Sequence, residues 1–183
     1  MEETSERIDF DENRTDIALQ EHIVRYMLAK DYITNKDVLD IACGTGYGTY
    51  YLSKYCNRIV GLDISEEAVR SAKKKYKNKN LLFFKKDAIS TGFDDKSFDV
   101  VVSFETIEHI ENQDAFLREI KRVLKEDGIL IMSCPNIEFS KKNNLHNKFH
   151  FREYTYRITL SDGHRHVVVT TNSAFVPQSG TSA

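Results

Sequence analysis

Up to about residue 136, short apolar runs alternate with segments that carry an apolar residue every three or four positions. The runs at 37–42, 58–63, 81–86, 98–103 and 128–133 are rich in Val, Ile, Leu and Phe. They are too short for helices and read as strands buried on both faces. Segments 47–55, 65–77 and 112–124 have helical spacing. So does 15–30, where Ile17, Ile23, Val24, Met27 and Leu28 form the stripe expected to face the core. Ser65 ahead of Glu66 and Glu67 is a helix start, because side-chain oxygens there meet unpaired N–H donors. Strands and helices in alternation predict an α/β fold, a doubly wound, mostly parallel sheet with helices on both faces.

The pattern changes near the end of the chain. Segment 157–170 reads as two short strands around the Asp162-Gly163 turn, and 171–183 as a loose polar tail. Three regions result: an N-terminal arm and helix (1–36), a core (37–156), and an atypical C-terminal hairpin and tail (157–183). The C-terminal part therefore reads as incomplete or altered.

Candidate chemistry gathers where the strands end. The first three close on carboxylates, Asp40, Asp63 and Asp87, and the fourth on Phe104-Glu105. Open parallel sheets bind ligands beyond these carboxyl ends, so one pocket is expected to collect them all. After Asp40 comes Ile41-Ala42-Cys43-Gly44-Thr45-Gly46-Tyr47-Gly48. Glycine lacks Cβ, so such a loop turns sharply and lets a ligand approach its backbone. Counting from Gly44, the sixth position is Thr49, where a dinucleotide fingerprint requires glycine. The Gly-Lys-Ser/Thr of a nucleoside triphosphate loop is missing as well.

The Asp-x-Ala-Cys-Gly-x-Gly-x-Gly pattern resembles the first motif of the class I S-adenosylmethionine-dependent methyltransferases, whose fold is Rossmann-like. Further matches follow in order at Arg58–Ser65, Leu81–Ala88, Ser97–Ile110 and Phe116–Asn136. The resemblance implies S-adenosylmethionine as cofactor and S-adenosylhomocysteine as product. It assigns Asp40, Ala42, Cys43, Gly44 and Gly46 to the cofactor loop, and Asp63 to the ribose hydroxyls. Ile64 would pack on the adenine, Asp87 with Ala88 would contact its edge, and Phe104 and Glu105 would line the methionine end. Glu6-Arg7-Ile8 and Glu21–Tyr26 resemble a small-molecule subgroup found beside sugar-modifying enzymes, in which the arm folds over the cofactor. Arg7 is then placed on the cofactor carboxylate. Segment 149–155, with His150, resembles the substrate border of the same subgroup. The family expects a further helix and a two-stranded hairpin to complete seven strands, and past Tyr156 the resemblance stops.

Methyl transfer needs the acceptor held in line, and a hydroxyl or ammonium acceptor also needs a base. Glu105, Glu108 and His109 follow the fourth strand. His109 is the candidate catalytic base because its ordinary pKa lies near neutrality, and His150 is the second choice. His146 and His150 stand four apart and His164 and His166 two apart, without an acid or cysteine at ligand spacing, so no metal site is expected.

Composition narrows the class of partner. A net charge of −2 over 183 residues gives no bias toward nucleic acid or an anionic membrane. The lysines at 73–75, 77 and 79 fit a solvated helix end. Cys43, Cys56 and Cys134 lack close spacing and read as reduced thiols of a cytoplasmic protein. No apolar run approaches the length of a membrane span. The expected activity is methyl transfer to a small-molecule acceptor, with a sugar or other cell-surface precursor as one class. An RNA or protein methyltransferase and a cofactor-binding module without catalysis stay open.

Overall fold

The computed structural model describes residues 17–142, 150–151 and 165–171. Six strands, β1 (Asp37–Ile41), β2 (Arg58–Asp63), β3 (Leu81–Lys85), β4 (Phe98–Phe104), β5 (Leu124–Pro135) and β6 (Arg165–Thr171), form one sheet in the order β3-β2-β1-β4-β5-β6. Every neighbouring pair is parallel. Strand order reverses between β1 and β4, so their carboxyl ends flank the crevice where ligands of such sheets bind.

Helices α1 (Ile17–Ala29), α2 (Tyr47–Leu52), α3 (Glu66–Lys75), α4 (Gln113–Val123) and α5 (Ile137–Lys142) join the strands, with one 3₁₀ turn at Lys30–Tyr32 and another at Ile107–His109. Two-residue periodicity divides the core between the two faces. Leu39, Ile41 and Val101 pack with Phe116, Ile120 and Val123 of α4. Val38, Val100, Val102 and Phe104 pack with Tyr26 of α1, Leu52 of α2 and Val69 and Ala72 of α3. Ser65 accepts the Ala68 N–H to start α3, and Asn112 accepts the Ala115 N–H to start α4.

Three elements depart from the sequence pattern. The stripe of α1 does not face the core: Val24, Met27 and Leu28 are each about half exposed, whereas Arg25, Tyr26 and Ala29 are buried. The helix lies over the carboxyl end of the sheet, where polar groups collect, and so its hydrogen-bonding face turns inward. Strand β5 starts at Leu124 rather than 128. Its register against β4 shifts between Phe98 and Val100, which absorbs the expected turn as a bulge in the strand. A Cβ on Gly128 would lie 2.8 Å from the Lys125 carbonyl oxygen, so the bulge requires glycine. Finally, residues 165–171 form a strand parallel to β5, preceded in the chain by α5. The first half of the expected hairpin and its Asp162-Gly163 turn lie outside the described residues.

Candidate functional site

The loop from β1 to α2 is built around Asp40. This carboxylate is 1% exposed; its Oδ2 accepts bonds from Thr49 Oγ1 at 2.6 Å and Tyr26 OH at 3.3 Å, and Oδ1 has no partner among the described residues. Burial pushes its pKa up to about 7, against the lowering effect of both hydroxyls. The Tyr26 ring also meets Phe104 edge-on at 5.0 Å, so α1 is fastened to the ends of β1 and β4 together. His22, one turn earlier, hydrogen-bonds Tyr47. Burial, helped by the Arg25 charge, lowers the His22 pKa to about 3 and keeps the ring neutral.

Beyond Asp40 the chain turns through left-handed conformations at Ala42, Gly44 and Gly46. Gly46 and Gly48 are imposed by protein packing: a Cβ would lie 2.7 Å from Phe83 in one case and 2.0 Å from the Tyr26 ring in the other. Gly44 differs, since a Cβ there would meet nothing within 4 Å. Ala42 is exposed beside it. The Cys43 side chain is buried against the sheet, and burial raises its thiol well above the usual range, so only its backbone borders the crevice.

At the tip of β2, Asp63 accepts the Gly44 N–H at 2.9 Å and the Ser65 N–H at 2.8 Å, one on each oxygen. These bonds fix its plane against the glycine loop. Ile64 beside it is 67% exposed. After β3, Asp87 is exposed and accepts the Ile89 N–H at 3.0 Å, with Ala88 half-buried behind it.

The end of β4 closes the other side. Phe104 is buried; Glu105 adopts φ +49 and is tied to β5 twice, by its N–H to the Ser133 carbonyl at 3.0 Å and by Ser133 Oγ donating to Oε1 at 2.7 Å. Arg25 lies 3.7 Å from that carboxylate, 6% exposed, and its Nε has no partner among the described residues. Next, the Ile107–His109 turn sets a buried Glu108 beside a one-third exposed His109, Oε1 to Nε2 4.0 Å. The His150 ring meets His109 edge-on at 4.9 Å.

The carboxyl ends of four neighbouring strands thus bring Asp40, Ala42, Cys43, Gly44, Gly46, Asp63, Ile64, Asp87, Ala88, Phe104 and Glu105 to one edge of the sheet, with His109 just beyond. Arg7 lies outside the described residues. Arg25, Tyr26, Thr49 and Ser133 were not singled out as site residues in the sequence. Thr49 had a signal: it stands where a dinucleotide loop has glycine, and its hydroxyl is spent on Asp40.

Residues 39–132 match the family described as "Methyltransferase domain", slightly more than half of the chain. The chain belongs to that family. This methyltransferase domain is 35% identical over 134 residues to a Mycobacterium tuberculosis protein named as a probable S-adenosylmethionine-dependent methyltransferase, covering 72% of this chain and 48% of the relative. It is 36% identical over 95 residues to the phthiotriol/phenolphthiotriol dimycocerosates methyltransferase of that organism, covering 51% of this chain and 35% of the relative. The chain therefore spans half or less of these relatives' length. Among solved structures, the YcgJ protein of Bacillus subtilis superposes with a TM-score of 0.62 at 28% identity, covering 74% of this chain and 64% of the other. A SAM-dependent methyltransferase from Aquifex aeolicus does so with a TM-score of 0.57 at 25% identity, covering 67% and 71%.

The cofactor implied by the family is S-adenosylmethionine, and the residues fit it. Gly44 borders the open space that an adenosine needs, with a ribose-type acceptor, Asp63, hydrogen-bonded to its N–H. Near the ends of β1 and β4, Asp40 Oδ1 and Arg25 Nε are buried polar atoms of opposite character without partners among the described residues. The methionine part of the cofactor carries an ammonium and a carboxylate, one for each. Among the described residues no helix is long and apolar enough to cross a membrane.

Proposed function

We propose that the protein transfers the methyl group of S-adenosylmethionine to a small-molecule acceptor bearing an ionisable oxygen. The supporting observation is Asp63, oriented by the Gly44 and Ser65 N–H groups beside a glycine whose outer face is open. In this reading Asp63 receives the ribose hydroxyls, exposed Ile64 packs on the adenine, and Asp87 with Ala88 borders its edge. Ala42, Gly44 and Gly46 let the loop backbone approach, and Cys43 contributes its peptide. Arg25 takes the carboxylate and Asp40 the ammonium, while Phe104 and Glu105 wall the methionine end.

The cofactor supplies an electrophilic methyl on a charged sulfur, a leaving group that needs no protonation. The chain's own task is to align the acceptor and exclude water, then remove one proton. Glu108, His109 and His150 cluster just after Glu105 at the end of β4, and His109 carries that last role. A small acceptor agrees with the net charge of −2, which gives no bias toward nucleic acid. The free cysteines Cys43, Cys56 and Cys134 agree with a reducing compartment such as the cytoplasm.

Titration calorimetry with S-adenosylhomocysteine tests the reading. We expect micromolar binding at one site per chain, weakened at least tenfold in Asp63→Ala. Equal affinity in that variant, or no binding by folded protein, would overturn it.

A further inference from the structure

We propose that Glu108, His109 and His150 form a site for a divalent transition-metal ion. One donor atom from each lies within 4.8 Å of the others. Ligands of a tetrahedral site stand about 3.4 Å apart at ordinary metal–ligand distances. The three must therefore close by little more than an ångström, a change that side-chain rotation supplies. The backbone already holds them in place. Glu108 and His109 belong to one 3₁₀ turn, and the Phe151 N–H donates to the Glu108 carbonyl at 2.7 Å, pinning His150 beside that turn.

Burial is graded in the manner a metal site uses. Glu108 is 1% exposed and fixes the inner ligand, whereas both imidazoles are only partly buried and leave a path for the ion. Two imidazoles and one carboxylate favour Zn²⁺, Fe²⁺, Mn²⁺ or Co²⁺ over Mg²⁺ and Ca²⁺, and leave coordination positions open. Spacing along the sequence hides the set, because His150 is far from the other two.

The site's role rests on the methyl-transfer reading, although metal binding itself does not. An acceptor hydroxyl at an open position would have its pKa lowered by the ion and lose its proton to solvent. Its oxygen then forms the new bond to the methyl carbon while the sulfur–carbon electron pair returns to sulfur. His109 on this account is a metal ligand and gives up the role of base to the ion and solvent, and the preferred acceptors are hydroxyl or phenol compounds able to coordinate.

The test titrates chelator-stripped protein with Co²⁺, read by visible absorption, and repeats the binding with Zn²⁺ by equilibrium dialysis. We expect one ion per chain at micromolar concentration, and at least a tenfold loss of affinity in His150→Ala. Glu108→Gln, which keeps the buried shape, should lose affinity to a similar degree. Substoichiometric binding by the wild type, or unchanged binding in His150→Ala, would overturn the proposal. The thermal shift with S-adenosylhomocysteine, measured on the same preparations, should persist in His150→Ala. Its absence from wild type and variant alike would strike at the cofactor reading and leave the metal result standing.

Discussion

Asp40 and His22 are neighbours in the same polar seam under α1, and their titrations oppose each other. Asp40 is raised from 3.8 to about 7, so the folded state binds its proton more tightly. Its contribution is present at low pH and is lost as pH rises between those values. His22 is lowered from 6.5 to about 3, so the unfolded state binds the proton more tightly, and this stability is lost as pH falls through that window. The two slopes cancel over the shared range from 3.8 to 6.5. Removing one group should expose the other: stability of His22→Gln should fall as pH rises from 4 to 6.5, and that of Asp40→Asn should rise. Each slope has a ceiling of about 1.4 kcal/mol per pH unit. Urea denaturation at several pH values checks this, and parallel profiles for the two variants would refute it. Asp40 was legible as a strand-end acid, but its partners were not. Thr49 stands out only by occupying the place of a fingerprint glycine, and Tyr26 reaches Asp40 through the packing of α1, which no local pattern encodes.

At the scale of elements, glycine positions of similar appearance have different reasons. Gly48 lies inside α2 under the Tyr26 ring, so Gly48→Ala must displace that ring and loosen α1. A cost of about 2–3 kcal/mol is expected, seen as a fall in melting temperature of roughly 5–10 °C. Gly44→Ala meets no protein atom and pays only for its left-handed backbone, about 1–2 kcal/mol. Its larger effect should appear in calorimetry as a loss of S-adenosylhomocysteine affinity of tenfold or more. The first four strands and helices α3 and α4 are readable from their apolar period, and for α3 the Ser65 cap agrees with it. Helix α1 misled because its strongest apolar stripe, Val24, Met27 and Leu28, is the outward one. Strand β5 misled because Gly128 looks like a turn in sequence and is a bulge in the sheet.

For the molecule as a whole, β1 and β4 are the middle strands of the sheet, and among the described residues β3 is paired on one side only. Native-state hydrogen exchange should follow that order, with amides of β1 and β4 at least a hundredfold slower than those of β3. Comparable rates would mean the sheet opens as a unit from its middle. The family was evident from ordered motifs spread over five strands. The clustering of Glu108, His109 and His150 was not, since it depends on the chain returning to the end of β4.

The attachment of α1 also has a consequence in time. The helix is made before what it docks on: Asp40 at the end of β1, then Phe104 and Glu105 at the end of β4. On a ribosome its buried face, Arg25 and Tyr26 included, must wait on the order of ten seconds for β4 to emerge. The crevice that α1 closes therefore stays open at least until β4 has emerged, and a ligand present in the cell during that interval meets it still open.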